Sequence, residues 1–167
     1  MNFTFYLEKL HDSEEFKEFM LENPNAYICS AFFIIDHEKS YDKQHLDFYS
    51  PDSKKVFSFK LEEGIRKEPL ETFDDKIPQK LTLDYDFDLE ELEKIVSERM
   101  EKENIKNKIQ KILISLQRVE QKDLLVLTIF ISGLGLLKVS IDPVGKKIKD
   151  FEKKSFFDIM KFVKKGK

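Results

Sequence analysis

The chain has 167 residues, of which 41% are hydrophobic and 37% charged, and its formal net charge is −3. This composition is too apolar for an intrinsically disordered chain, and the length suffices to bury a core without disulfides or metals. The negative balance weighs against a protein that grips nucleic acid or an anionic membrane with its whole surface. Aromatic residues comprise 16 Phe, 5 Tyr and no Trp, so we expect phenyl rings to fill most of the core.

The first residues predict a strand followed by a helix. Residues 3–7, Phe-Thr-Phe-Tyr-Leu, are aromatic and β-branched, which is typical of a half-buried strand. Asp12 and Glu15 have the spacing of a capping box, and Asn-Pro-Asn at 23–25 ends the predicted helix. Between them, apolar residues recur at helical spacing: Phe16, Phe19 and Met20.

Three strands and a connector are predicted next. Residues 27–35, 46–49 and 56–61 are rich in aromatic and aliphatic side chains, and Ser-Pro-Asp-Ser at 50–53 has the composition of a tight turn. Residues 62–79 are polar, contain two prolines and show no period, so they predict a connector.

A similar order of elements follows the connector. Leu-Thr-Leu at 81–83 resembles the opening strand, and Asp88 with Glu91 predicts a second capped helix. Strands are predicted at 112–119, 124–132, 136–141 and 147–151, with an Asp-Pro-Val-Gly turn at 142–145. Ser155 with Asp158 predicts a C-terminal helix whose apolar face holds Phe156, Ile159, Met160 and Val163.

Together these elements predict an α+β fold, an antiparallel sheet with helices packed on one face. Two pseudo-duplicated β-α-β-β-β halves would span residues 1–61 and 80–167, joined by the connector 62–79 and forming one compact unit. The second half would add a hairpin strand and the C-terminal helix. The best local match is the pair of proline turns, each followed by two lysines and a β-branched residue, at 50–56 and 142–148. Convergent hairpin chemistry is the alternative to duplication.

Charge is distributed unevenly along the chain. Residues 62–103 carry 15 acidic and 7 basic side chains, whereas residues 146–167 carry 9 basic and 3 acidic ones. The two tracts would attract each other, or the basic end would contact an external partner. The lysines of this candidate interaction surface are Lys146, Lys147, Lys149, Lys161, Lys164 and Lys165. The C-terminal helix that carries the last three would alternatively dock its apolar face on the sheet.

No segment predicts a catalytic, metal or cofactor site. Residues 84–88 alternate Asp with aromatic residues but fail the EF-hand spacing, so we expect solvated carboxylates and a helix cap. Cys29 would need His37 or His45 as a base to act as a nucleophile, and its apolar strand favours a buried thiol instead. Ser-Gly-Leu-Gly at 132–135 has strands on both sides and therefore predicts a hairpin bend rather than a phosphate loop.

The sequence gives few signals of location. A single cysteine excludes an internal disulfide, and residues 1–9 lack the basic and apolar regions of a secretory signal. The longest uncharged apolar run, residues 124–137, is too short to span a bilayer as a helix. We therefore expect a cytoplasmic protein.

The function that fits these observations best is a non-catalytic protein-binding or adaptor domain. Its partner would be another protein, or a second copy that pairs through a sheet edge. Two alternatives remain. One is a nucleic-acid-associated domain that uses the basic C-terminal region, and the other is a carrier that encloses an apolar ligand in its Phe-rich interior.

Overall fold

The computed structural model of the chain describes residues 1–71 and 75–155. The predicted α+β class is confirmed, since within these ranges three helices accompany one eight-stranded antiparallel sheet. In chain order the elements are α1 Phe3–His11, α2 Glu14–Glu22, β1 Tyr27–Asp36, β2 Lys43–Ser50, β3 Lys55–Lys60, β4 Arg66–Leu70, α3 Leu89–Lys102, β5 Ile109–Val119, β6 Lys122–Ile131, β7 Gly135–Ile141 and β8 Ile148–Ser155.

The sheet runs in the order β4-β3-β2-β1-β5-β6-β7-β8, with every neighbouring pair antiparallel. Strands β1 and β5 lie side by side in the middle, and each begins a meander of four strands that follows a helix. The two proline turns also share a geometry, because the Lys54 and Lys146 N–H groups donate to the Ser50 and Asp142 carbonyls at 2.8 Å in both cases. Duplication and convergent turn chemistry both produce this likeness, so the internal repeat stays a prediction.

The predicted opening strand is wrong, because residues 3–7 begin helix α1. Asn2 caps this helix, its side-chain oxygen accepting a hydrogen bond from the Phe5 N–H. Phe3, Tyr6 and Leu10 are buried at helical spacing, while Phe5 points to solvent. The alternation of Phe3 and Phe5 suggested a strand, but the buried set follows the period of 3.6 residues.

The predicted N-cap of α3 is confirmed, whereas the N-cap of α2 is one residue later than predicted. The Asp88 carboxylate accepts from the Glu90 N–H at the start of α3. At α2 the cap is Ser13, whose hydroxyl accepts from the Phe16 N–H, whereas Asp12 ends α1. A serine in extended conformation suits this position because its short side chain reaches the orphan N–H groups of the first turn.

The predicted connector contains an unpredicted strand, and the predicted strand at residues 81–83 is absent. Strand β4 pairs with β3 at the sheet edge, so the connector is not free of regular structure. Residues 81–83 instead cross the end of the sheet, where the Leu81 N–H donates to the Ile28 carbonyl at 3.1 Å and Leu83 has a φ of 56°. A left-handed residue at this position is incompatible with a continuing strand.

All three helices pack on one face of the sheet, as predicted. Phe3 of α1 stacks on Phe87 with ring centroids 4.9 Å apart, and both rings contact Phe33 of β1 edge-on. Phe16 and Phe19 of α2 contact Phe59 of β3 at 5.4 and 5.1 Å, and the same core cluster includes apolar residues of α3. Each buried ring contributes about 1.5–3 kcal/mol, so phenyl packing is the main attachment of α1 and α2, whereas α3 packs through Leu92, Val96 and Met100.

The predicted C-terminal helix lies outside the described residues, as do Lys161, Lys164 and Lys165 on it. The strand predicted at 147–151 is present as β8, which follows the predicted Asp-Pro turn. It is not additional to the strands of the first half, because β4 gives that half a fourth strand as well.

Candidate functional site

The sheet face opposite the helices carries a surface of half-buried side chains. Cross-strand partners in an antiparallel sheet share a face, and on this face Phe32 pairs with Ser115, which pairs with Val126. In the next row Ile34 pairs with Leu113. We call this surface the open face.

Four apolar side chains in the middle of the open face are half-buried rather than covered: Phe32, Ile34, Leu113 and Val126. We call them the open-face patch. They come from β1, β5 and β6, the central strands, whose backbones are hydrogen-bonded on both sides. Ser115 and Thr128 lie beside them. The four members of the patch are not ionisable, so it is suited to non-covalent docking and not to acid–base chemistry.

A polar region adjoins the patch on β2, β3 and β4. The Ser30 hydroxyl donates to the Asp47 carboxylate at 2.7 Å, and Lys60 Nζ lies 2.6 Å from Glu68 Oε2. His45 Nε2 and Glu62 Oε1 are 3.1 Å apart. Burial would raise the pKa of Glu62, but the hydrogen bond with His45 and others from the backbone outweigh it and lower that pKa. The open face thus has a paired polar half beside the apolar patch.

Both sheet edges carry features that oppose further strand pairing. All five residues of β4 are exposed, and Pro69 among them lacks an N–H group to donate. Strand β8 exposes a run of charged side chains, including Asp150, Glu152 and Lys153. Short, charged or proline-containing edges discourage strand addition. The homodimer through a sheet edge expected from sequence receives no support from this arrangement.

Of the predicted lysine surface, the described residues include Lys146, Lys147 and Lys149. Lys146 Nζ lies 3.1 Å from Glu91 Oε2 of α3, which joins the basic tract to the acidic tract. Such a half-exposed ion pair contributes about 0–1 kcal/mol. Lys147 and Lys149 are exposed on the turn and on β8.

Cys29 is not brought together with a histidine. Its thiol is buried beside Tyr49 and Val56, and burial raises its pKa to about 12. His37 instead contacts Glu93 of α3, and His45 contacts Glu62. The Cys29 side chain therefore behaves as a small hydrophobe, as its apolar strand predicts.

The acidic residues 84–88 serve as hydrogen-bond acceptors. Asp86 accepts from the Thr4 N–H at 3.0 Å, Asp84 accepts from the Thr82 hydroxyl at 2.8 Å, and Asp88 is the confirmed helix cap. Among the residues that the structure describes, no group of three or more histidine, cysteine or carboxylate side chains is arranged to hold a metal ion.

Sequence reasoning missed a buried polar network around Asp123. Its carboxylate accepts from the Tyr85 hydroxyl at 2.6 Å, the Thr82 N–H at 2.8 Å and Arg118 at 2.9 Å. Burial would raise the pKa of Asp123, but these donors outweigh it and lower that pKa, while burial and the same contact raise the pKa of Tyr85. The network fixes the 82–85 segment to the β5–β6 hairpin. Its partners are up to 41 residues apart, so no local pattern indicates it.

The glycine-rich segment is a hairpin bend, as predicted, and joins β6 to β7. Gly133 adopts a φ of 79°, which favours glycine. A Cβ on Gly135 would lie 2.7 Å from the Ile131 side chain, so any other residue at this position requires Ile131 to shift.

The space between the helices and the sheet is filled by side chains. Fully buried phenyl rings occupy it, among them Phe3, Phe19, Phe33, Phe59 and Phe87. A surface groove of about 800 Å³ lies instead between the end of α3 and the start of β5, and many of its lining residues are polar, including Glu93, Ser97, Glu101 and Asn104. Nor does any helix within residues 1–71 and 75–155 have the length and apolarity to cross a bilayer.

Comparison with known proteins supports the fold. No protein-family model and no curated protein matches the chain. The chain is similar to a crystal structure described as a "putative lipoprotein" from Clostridium difficile 630, with a TM-score of 0.55 and 12% sequence identity. The similarity covers 84% of this chain and 91% of that one. At this identity the likeness shows a shared fold alone.

Proposed function

We propose that the chain is a non-catalytic protein-binding module whose partner docks on the open-face patch. The observation that carries the proposal is the row of Phe32, Ile34, Leu113 and Val126, half-buried on the central strands with no described helix over them. Contiguous exposed apolar side chains on a soluble fold mark interaction surfaces, whereas singly scattered ones do not.

The composition around the patch also suits a protein partner. A protein interface has an apolar centre and a polar rim. Here the centre is framed by the Ser30–Asp47 pair on one side and by Lys138, Glu152 and Asp150 on β7 and β8 on the other. The exposed Pro69 of β4 and the charges of β8 oppose association by strand addition, so they favour association through the open face.

The two alternatives receive less support from the described residues. A nucleic-acid surface requires clustered basic groups, and Lys146 is paired with Glu91 while Lys60 is paired with Glu68. An apolar carrier requires an enclosed cavity, and the phenyl rings occupy that volume. The cytoplasmic location rests, as before, on the single cysteine and stays a prediction.

Site-specific photo-crosslinking tests the proposal. A benzophenone amino acid replaces Leu113 in the full chain, and the same amino acid replaces Glu18 on α2 as a control at an exposed helical position. Irradiation in cells of the source organism should give a discrete adduct from position 113 and none from position 18. Adding Val126→Lys should suppress that adduct, because a lysine in the centre of the patch must be desolvated on binding.

The design separates partner loss from misfolding. Val126 is half-buried on the face that no described helix covers, so Val126→Lys should leave the far-UV circular dichroism spectrum and the melting temperature nearly unchanged. Adducts of equal yield from positions 113 and 18, or an adduct at 113 that persists in the folded Val126→Lys chain, would contradict the proposal. An adduct with twice the monomer mass identifies a second copy as the partner.

A further inference from the structure

A second exposed apolar feature lies at the end of the sheet, on the turn between β6 and β7. Leu134 at the turn is 62% exposed, and Phe130 on β6 is 40% exposed. Leu136, which pairs with Phe130 across the hairpin, is half-buried. These three residues, the apolar tip, line a shallow depression of about 350 Å³.

Leu134 is not explained by the needs of the fold. It has a φ of 58°, and a leucine in the left-handed region is strained, whereas asparagine or glycine adopts it readily. The fold explains the glycines on either side of Leu134. Gly133 has a φ of 79°, and the Ile131 side chain approaches Gly135 closely. The turn would therefore form more easily with asparagine at 134, and it instead carries a leucine whose side chain is 62% exposed.

Lysines lie near the apolar tip. The Lys108 N–H donates to the Ser132 hydroxyl at 2.9 Å and the Ser132 N–H donates to the Lys108 carbonyl at 2.8 Å, which holds the 106–108 segment beside the turn. Lys106 and Lys108 are exposed. Across the strands, Lys111 pairs with Phe130 and Lys154 pairs with Leu136, which places further cations on the same end of the sheet.

Two acidic side chains offset part of this charge. Asp36 lies 3.7 Å from Lys111, and Glu152 lies 3.7 Å from Lys154. Within the described residues, no ion pair engages Lys106 or Lys108, and Glu93 and Glu101 line the groove on the α3 side of these two lysines.

We propose that the apolar tip is an interfacial membrane-binding site for a bilayer surface that contains anionic lipid. Leu134 and Phe130 would enter the boundary between headgroups and acyl chains, while Lys106 and Lys108 contact lipid phosphates and carboxylates. Exposed apolar groups beside lysines combine the two attractions on which peripheral membrane binding depends. Phe130 and Leu136 lie at one end of the open face, where Phe130 follows Val126 and Thr128 on the same side of β6, but the apolar tip shares no residue with the open-face patch. Variants of Leu134 therefore test the tip without altering the patch.

The absence of tryptophan from the chain provides a direct test. Leu134→Trp in the full chain creates a single reporter at the tip, and Leu21→Trp, at an 84% exposed position on α2, is the matched control. Vesicles of phosphatidylcholine with 30% phosphatidylserine should shift the Leu134→Trp emission to the blue and leave the Leu21→Trp emission unchanged. Pure phosphatidylcholine vesicles should produce a much smaller shift.

Vesicle co-sedimentation gives the second arm. Leu134→Asn should bind the anionic vesicles roughly tenfold more weakly, because the inserted leucine is lost, yet it should melt at the same or a higher temperature. Lys106→Glu and Lys108→Glu should each weaken binding roughly fivefold. Leu21→Asn should bind like the unmodified chain.

Several outcomes would overturn the proposal. An unshifted Leu134→Trp emission while the chain sediments with vesicles would mean that another segment, such as the basic C-terminal residues, makes the contact. Equal binding of Leu134→Asn and Leu21→Asn, or no sedimentation with anionic vesicles, would also refute it. Salt-sensitive binding to an RNA or DNA duplex that Leu134→Asn does not alter would assign the lysines to nucleic acid instead.

Discussion

Replacing Asp123 by asparagine tests the network that attaches the segment before α3 to the sheet. The Asp123 side chain is 3% exposed and accepts hydrogen bonds from Thr82, Tyr85 and Arg118 at 2.6–2.9 Å. An asparagine has nearly the same shape, but its NH₂ group must face either the Thr82 and Tyr85 donors or Arg118. In either orientation the NH₂ group faces another hydrogen-bond donor, and the Arg118 cation loses the negative charge that balances it.

The expected loss of unfolding free energy is about 2–4 kcal/mol at pH 7. A hydrogen bond to a charged group contributes about 1.5–3 kcal/mol, and bonds that share one carboxylate are not additive. Urea unfolding followed by circular dichroism measures the change. Asp84→Asn is the matched control, because Asp84 is exposed and its replacement can still accept from Thr82, so that variant should stay within about 0.5 kcal/mol of the parent.

The pH dependence follows from the sign of the pKa shift. Burial would raise the pKa of Asp123, but its donors lower it. The stability from the carboxylate is therefore fully present above the unfolded pKa of about 3.9 and is lost as the pH falls through the lower folded pKa. The difference in unfolding free energy between the parent and Asp123→Asn should be constant from about pH 6 to 8 and should become smaller below about pH 4. A difference under 0.5 kcal/mol at pH 7, or one that widens in acid, would refute the reasoning.

Three further predictions concern single side chains. Ser13→Ala should cost about 1 kcal/mol in urea unfolding while Asp12→Ala costs much less, because Ser13 caps α2; equal losses would contradict this. Burial raises the pKa of Cys29 to about 12, so its thiol should resist iodoacetamide at pH 8 in the folded chain and react with it in urea. Mass spectrometry measures the labelling, and fast labelling without urea would contradict the burial of Cys29. Gly135→Ala should destabilise the chain by about 1–3 kcal/mol because its Cβ meets Ile131, and an unchanged melting temperature would show that Ile131 moves aside at no cost.

The elements that the sequence predicts best are those with a local cause. Asp88 caps α3 as predicted because a cap is a contact within three residues. The sequence predicts a strand in place of helix α1 because residues 3–7 fit both the two-residue period of a strand and the 3.6-residue period of a helix. Only the burial of Leu10, further along the chain, distinguishes the helix from the strand. Strand β4 has no period of its own, since all its residues are exposed, and its pairing with β3 alone makes it a strand.

The open-face patch had a signal in the sequence that local reasoning could not complete. Residues 27–35 are apolar at nearly every position, which indicates a strand with apolar side chains on both faces. The pattern predicts the strand but not which face the helices cover, because that depends on contacts such as Phe3 with Phe33. Once Phe33 is assigned to the covered face, Phe32 and Ile34 must lie on the open one.

The edges and the open face together indicate how this chain limits its own association. A sheet with free edges and an apolar face could aggregate through either. Pro69 and the charges of β8 restrict the edges, while the polar groups around Asp47 and Glu62 lie beside the open-face patch, on β2 and just after β3. Replacing Pro69 by valine restores an edge N–H and adds a β-former, so it should raise the oligomer fraction in analytical ultracentrifugation. Suppose that the Pro69 variant forms more oligomer and that adding Val126→Lys does not lower the oligomer fraction again. The sheet edge and the open face are then separate interaction surfaces, as the proposed function requires.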